Sequence, residues 1–585
     1  MTPSGSHPLS AFVLMMLAGL ILAPGSRAQT ITNRLALRQS SQVRLSQEVE
    51  LRRMVFTLAR QKGWPLTLRN KKGALAYLRG LNGRGLPVYI TTTDNILSAA
   101  TIGTNQLWAG GSTGLNLSGG SSGMTGKIAI WDEGRVRNTH VELKGRVVQT
   151  DNAATLSDHS THVAGTLIAA GVNPLAKGMS YGAQKLLAYD FDNDVSEMMS
   201  AAPDLLVSNH SYATIAGWYF DGDKSRWEFF GDPGDTVDIR FGLYDIETQL
   251  WDSIAYNAPQ YLMVKASGNN RGETGPAVGA PYYRMDDNGN FINAGARPAT
   301  LSSNNGYTTI ATYGNAKNIL TVGAIAPIAG GYTQPSDVEL TEFSSVGPTG
   351  DGRIKPDVVA DGLNVLSSFS SADNAYDILS GTSMASPAAA GSAFLLQEQY
   401  ARQHGGQFMR AATLKGLLIH TADEAGGNPG PDYQFGWGLI NMRKAATVIT
   451  ADSSDQFILE KNLVNTTHDF DTFRVVASGR TPLVATISWT DPPAKPATIA
   501  GNNFADGSPK LINDLDLRVT DSLTHAVTQP WVLNPNDRTA AATTGDNILD
   551  NVERLEIPNP IPGRAYQIKI THKAPLVRGS QAYTL

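Results

Sequence analysis

Between about residues 125 and 450, short apolar runs alternate with stretches of helical spacing. Ile128-Ala129-Ile130-Trp131 is such a run and ends in a carboxylate, Asp132. Leu186 to Tyr189, Asp204 to Ser208, Tyr261 to Ala266 and Ile319 to Ala324 repeat the strand pattern, while Glu247 to Asn257 and Ala388 to Arg402 have the 3.6-residue period of helices. Strands alternating with helices predict an α/β fold: a mostly parallel sheet with helices on both faces. Functional groups of such sheets gather at the carboxyl ends of the strands, which is where Asp132 falls.

Around Thr450 the period changes to two. Leu483, Ala485, Ile487 and Trp489 alternate with Val484, Thr486, Ser488 and Thr490, and Leu515, Leu517, Val519 and Tyr566, Ile568, Ile570 repeat the pattern. With Pro, Gly and Asn between them, these runs predict a C-terminal antiparallel β-sandwich over residues 451–585. Near the N-terminus, Leu51, Met54, Val55 and Leu58 have helical spacing and Leu86 to Ile90 reads as a strand. Residues 109–123 are rich in Gly and Ser and read as a loop.

Residues 11–23 form one apolar block followed by Pro24, Gly25 and Ser26-Arg27-Ala28, a signal-peptide pattern with cleavage before Gln29. Residues 1–28 are therefore expected to direct export, secreted or periplasmic in a bacterium, with no stable membrane span after cleavage. The 585 residues include no cysteine, which excludes disulfides, thiolate metal sites and a cysteine nucleophile. Net charge is only −5, so no nucleic-acid partner is expected. The charge is uneven: residues 29–100 carry +9 and residues 101–585 carry −15.

The chemistry centres on Gly381-Thr382-Ser383-Met384-Ala385-Ser386-Pro387, a small-residue turn that feeds a serine into the start of an apolar helix. Pro387 is expected near the first turn, where its missing N–H costs little. A lone serine there is usually a cap. Upstream, however, Asp158-His159-Ser160-Thr161-His162 opens a second small-residue helix, and Asp132 precedes both. A nucleophile, a base and an orienting carboxylate in the order Asp132, His159, Ser383 make a Ser-His-Asp triad. His162 is read as a buried structural partner, His140 as a loop residue and Asp158 as a turn or cap.

These three segments resemble those of the subtilisin-like serine proteases (subtilases). Phe343 to Pro348, Gly352 to Ala360 and Gly436-Trp437-Gly438 with Asn441 extend the resemblance over about residues 125–450. It implies a catalytic domain over residues 106–450 with the triad Asp132, His159 and Ser383. Asn269, in Ala266-Ser267-Gly268-Asn269-Asn270, matches the oxyanion asparagine. Ser211, Tyr212, Ala213, Ser267 and Gly268 match the substrate-binding strands. The basic region, residues 29–105, resembles a propeptide that inhibits its own protease, with processing between about Tyr89 and Trp108. Residues 451–585 resemble a jelly-roll domain. Two regions, Gly217 to Gln249 and Gly272 to Gly314, are longer than in compact members.

No cofactor is implied for the chemistry. Structural Ca²⁺ is implied by the family, with Asp190, Asp192, Asn193 and Asp194, or Asp286, Asp287, Asn288 and Asn290, as the clusters in view, and Asp491, Asp514 and Asp516 as further acids. One departure stands out: Ser160 occupies a position where the family usually has glycine, and its hydroxymethyl is expected to crowd the substrate or turn the imidazole. The expected function is a secreted, monomeric serine endopeptidase, made as a zymogen, acting on proteins or peptides through an acyl-enzyme. The alternative is a catalytically silent subtilase fold used for binding or adhesion.

Overall fold

The computed structural model describes residues 32–65, 67–69, 75–92, 99–328, 331–455, 457–497 and 507–585. The signal-peptide residues 1–28 and positions 93–98 of the expected processing window lie outside them.

The chain opens with α1 (Arg34–Lys62), capped by the Asn33 side chain and stopped at Gly63, whose φ of 71° suits glycine. It is much longer than the predicted Leu51–Leu58 stretch, because docking stabilises its polar first half: Leu37 is buried and Ser41 donates to the Ser196 carbonyl at 2.6 Å. The antiparallel strands β1 (Thr67–Arg69), β2 (Leu75–Leu81) and β3 (Pro87–Thr92) follow.

The main unit then runs through β4 (Ile128–Asp132), β5 (Val147–Gln149), α2 (Asp158–Ile168), β6 (Leu186–Asp190), α3 (Asp194–Ala201) and β7 (Val207–His210). After β8 (Tyr212–Thr214), β9 (Trp218–Asp221) and β10 (Arg226–Phe229) come α4 (Ile246–Asn257) and β11 (Leu262–Ala266). Next are β12 (Pro281–Met285), β13 (Phe291–Ala296), β14 (Leu320–Ile325), β15 (Val358–Asp361) and the hairpin β16 (Val365–Ser368) and β17 (Tyr376–Leu379). Helices α5 (Thr382–Gln403), α6 (Ala411–His420) and α7 (Met442–Asp455) complete the unit.

Strands β15-β14-β11-β7-β4-β6-β5 form one seven-stranded parallel sheet in that order. Alternation along β4 divides its faces. Ile128 and Ile130 join the cluster holding α2 and α5, and Ala129 and Trp131 join the opposite cluster with Met198 of α3 and Trp251 of α4. The predicted strand Asp204 to Ser208 is corrected to Val207–His210. Leu205 and Leu206 are buried ahead of the strand, so their apolarity serves packing of the connection.

The two long regions meet. Strands β9 and β10 from the first and β12 and β13 from the second form one four-stranded sheet, joined by parallel pairing of β10 with β12. This sheet packs against the N-terminal unit: Val55, Ala59, Trp64, Leu78 and Tyr89 share a buried cluster with Ile215, Tyr219, Phe230 and Met285.

The C-terminal part is an antiparallel β-sandwich. Its strands are β18 (Glu460–Val464), β19 (Asp471–Val476), β20 (Leu483–Ser488), β21 (Leu515–Asp521), β22 (Val527–Thr528), a short β23–β24 pair (Trp531–Val532, Thr543–Thr544), β25 (Val552–Ile557), β26 (Ala565–His572) and β27 (Ser580–Thr584). One sheet has the order β18-β27-β20-β25 and the other β19-β26-β21-β22. Ala485, Ile487, Trp489, Leu515, Leu517, Val519, Tyr566, Ile568 and Ile570 all lie in the core between them, as period two predicts.

Candidate active site

Asp132 ends β4 and is fully buried. One residue into α2, which is capped by Ser157, stands His159. Its Nδ1 hydrogen-bonds Asp132 Oδ1, and the same oxygen accepts the Glu133 N–H at 2.7 Å. The carboxylate therefore fixes the imidazole through one of its two nitrogens.

Ser160, where the family usually has glycine, is tied to the loop that follows β4. Its hydroxyl points back over the turn after Asp132, donating to the Glu133 carbonyl and lying 3.2 Å from the Gly134 oxygen and 3.5 Å from Asp132 Oδ1. The hydroxymethyl is buried under the aspartate's turn and braces it.

His162 and His140 are tied to backbone carbonyls. His162 is fully buried with Nε2 3.1 Å from the Val365 carbonyl, and burial, with His159 nearby, pushes it down to about 3. His140 bonds the Ala375 carbonyl at 2.8 Å and is lowered by burial. Asp158 accepts from the Ser370 hydroxyl at 2.6 Å, tying α2 to the loop beyond β16.

Ser383 is the second residue of α5. Pro387 lies in the second turn of this helix, not the first as expected, and its position has a use. Proline has no N–H to give the Ser383 carbonyl four residues earlier. The Ser211 hydroxyl supplies that donor at 2.6 Å, while Ser383 Oγ donates to the Ser211 carbonyl at 3.0 Å. Ser386 extends the tie by donating to Asn209 Oδ1 at 2.7 Å, and Asn209 donates to Ser211 Oγ at 2.9 Å. The start of α5 is thus bolted to the end of β7.

Asn269 follows β11 after Gly268, whose φ of 104° and close neighbours Asn270 and Ser345 require glycine. Asn269 Oδ1 accepts from Thr382 N at 2.8 Å and from Thr382 Oγ1 at 3.1 Å, so the donor end of its amide is turned away from Thr382. Asn270 is committed elsewhere, to the Thr309 carbonyl at 3.1 Å. Ser267 donates to the Ser345 carbonyl at 3.1 Å.

Ser211 precedes β8, whose Tyr212 and Ala213 pair antiparallel with Thr92 and Thr91 of β3. Tyr212 faces inward: its ring packs with Phe191 and Tyr313, and its hydroxyl donates to Asp194 Oδ2 at 2.7 Å. Lys265, which the sequence reading passed over, is buried on β11 and donates to the Tyr212 carbonyl and, at 3.2 Å, to the Ala266 carbonyl. Burial, partly offset by Asp132 and Asp194, brings it down to about 7. Its signal was a lone lysine inside an apolar strand.

Acids of both clusters have partners within the protein. Asp190 Oδ1 accepts from the Asp192 N–H at 2.8 Å, Asp194 is paired with Arg79, and Asp286 Oδ1 caps its own turn by accepting from Asn288 and Asn290 N–H, each at 2.9 Å. Asp491 pairs with Lys317, and Asp514 and Asp516 pair with Lys573 at 2.9 and 3.0 Å. Among the described residues, no group of three or more His, Cys, Asp or Glu side chains is arranged to hold a metal ion. Among them, too, no helix is long and apolar enough to cross a membrane.

Comparison with known proteins agrees with this arrangement. The sequence model of the Subtilase family (Peptidase_S8) matches residues 104–438. The chain is 24% identical over 542 residues to the serine protease/ABC transporter B family protein tagB of Dictyostelium discoideum, covering 74% of this chain and 27% of that protein. It is 40% identical over 190 residues to a C5a peptidase of Streptococcus pyogenes serotype M3, covering 31% of this chain and 16% of that protein. The chain thus spans about a quarter or less of the length of these curated relatives.

Proposed function

The chain belongs to the subtilase family, and from that membership we propose that it is a serine endopeptidase using Asp132, His159 and Ser383. The observation that carries this reading is the buried hydrogen bond between Asp132 and His159 Nδ1 at the carboxyl end of the parallel sheet. In the mechanism, His159 Nε2 takes the Ser383 proton as Oγ attacks the scissile carbonyl, and Asp132 stabilises the resulting imidazolium. The tetrahedral oxyanion is met by the Asn269 amide and by the Ser383 N–H at the start of α5. His159 then returns the proton to the leaving amine, and water releases the acyl-enzyme. Extended substrate pairs with the Ser211–Ala213 edge and with Ser267–Gly268. The hydrogen bonds that Thr382 gives Asn269 support its oxyanion role.

Residues 29–105 act as a prosegment in this reading. Support comes from β3 pairing antiparallel along β8, the edge a substrate would use, and from the +9 charge of this region against −15 for residues 106–585. The catalytic domain is read as residues 106–450. Residues 451–585 are read as a jelly roll. Counting its two-sheet strands from first to eighth, the orders first-eighth-third-sixth and second-seventh-fourth-fifth support that topology. Export as a monomeric zymogen completes the proposal.

The test is export of the full chain from a bacterial host, with mass spectrometry of the product. Wild type is expected to lose a piece ending between about residues 89 and 108, and Ser383→Ala to keep it. Full-length wild type that also leaves casein intact would support a silent binding protein.

A further inference from the structure

Besides Leu37 and Ser41 of α1, the N-terminal unit reaches the interior through a charged side chain of β2. Arg79, on β2, donates to the Asp192 carbonyl and to Asp194 Oδ1. The Asp194 side chain is fully buried and that of Arg79 is 12% exposed. Arg79 is the only cation ion-paired with Asp194 among the described residues. The remaining partners of the carboxylate are the Val195 N–H at 2.7 Å and the Tyr212 hydroxyl at 2.7 Å. Tyr212 belongs to β8, and its carbonyl is held by Lys265 of β11, the strand that leads to Asn269. A connected polar path therefore runs from β2, through Asp194 and Tyr212, to both strands of the candidate substrate cleft.

We propose that Asp194 and the Asp192 carbonyl form a guanidinium-binding pocket behind the substrate strand, and that Arg79 seated in it is the latch that keeps the N-terminal unit on the enzyme. This inference rests on the reading of that unit as a prosegment and names the contact by which it would inhibit. The geometry favours a latch over an incidental pair. A planar guanidinium meets two acceptors at once, one of them a fully buried carboxylate, and such contacts dominate dissociation when a buried charge is left behind. Against burial, the Asp194 carboxylate holds the Arg79 charge above its ordinary value. The neighbouring contact of α1, Arg44 with Glu247 at 2.8 Å, is partly exposed on both sides and contributes less.

The experiment uses the exported full chain. Release of the cleaved piece is followed by size exclusion with mass spectrometry, and activity by hydrolysis of casein. Arg79→Ala is expected to release the piece about 30-fold faster than wild type or more, with a correspondingly shorter lag before activity. Millimolar guanidinium chloride, too dilute to denature, is expected to lengthen the lag of Arg79→Ala again, with potassium chloride at equal ionic strength as the blank. In Asp194→Asn the lag is short and guanidinium leaves it unchanged. Should Arg79→Ala accumulate poorly, Arg79→Lys replaces it, with an intermediate lag expected because one acceptor is lost. A wild-type lag in Arg79→Ala, or no response of that variant to guanidinium, overturns the latch while leaving the prosegment reading standing. A wild-type enzyme that never loses the piece and hydrolyses casein without a lag overturns both.

Discussion

At the scale of single residues, the candidate machinery is held by neighbours at least as much as by its own sequence. Asn269 acts only if its amide is oriented, and Thr382 does that through two hydrogen bonds. Asn269→Ala is expected to lower kcat about 10²- to 10³-fold with little change in KM, the loss known for the corresponding asparagine of subtilisin. Steady-state kinetics on a peptide substrate checks it, and a change confined to KM would contradict the assignment. His162 gives a pH prediction. Its value is about 3 in the folded protein against 6.5 ordinarily. Between those pH values the unfolded chain binds a proton that the folded chain excludes, so stability is lost as pH falls from about 6.5 toward 3. In urea titrations, His162→Gln is expected to flatten the dependence of unfolding free energy on pH in that window by about one proton. An unchanged slope would show that His162 titrates normally. The candidate triad positions stood out in the sequence through the apolar run that ends in Asp132 and the small-residue segments that hold His159 and Ser383. The orientation of Ser160 did not, since it depends on carbonyls of the Asp132 turn, 26 and 27 residues away in sequence.

At the scale of elements, hydrophobic period located every strand proposed for the central sheet, missing by a few residues only where apolar packing precedes the strand, at Leu205 and Leu206. The pairing of β10 with β12 could not be read, because parallel neighbours 55 residues apart, such as Glu228 and Tyr283, leave no local pattern. Helix α5 illustrates how close packing constrains the candidate nucleophile Ser383. It is buried along most of its length, and a Cβ added at Gly391 would lie 2.7 Å from Met179 Cβ. Gly391→Ala is therefore expected to destabilise the protein by about 1–3 kcal/mol through overpacking, seen as a lower urea midpoint. A midpoint equal to wild type would mean that the contact yields without cost.

At the scale of the whole molecule, the sandwich is fastened to the parallel-sheet unit by buried polar groups as well as by apolar contacts such as Val552 of β25. Lys317 is fully buried, paired with Asp491 and bonded to the Pro492 and Lys510 carbonyls at 2.7 Å each. Asn318 and Asp491 exchange two further hydrogen bonds at 2.8 and 2.9 Å. Breaking the pair with Lys317→Met leaves a buried carboxylate unmatched and is expected to cost about 3–5 kcal/mol. Lys317→Met combined with Asp491→Leu is expected to recover much of that loss, because no lone charge remains. Chemical denaturation of both variants checks the pair, and a harmless single substitution would contradict it. The sequence marked Asp491 as one acid among several, and its partner 174 residues away became visible only in the fold.

The most direct measurement is labelling with a fluorophosphonate that reacts only with an activated serine, followed by peptide mapping. The mature wild-type protein is expected to carry the label on Ser383, and the His159→Ala protein, folded and otherwise intact, to remain unlabelled. A processed, folded wild-type protein that carries no label at Ser383 would contradict the assignment of this chain as a serine protease.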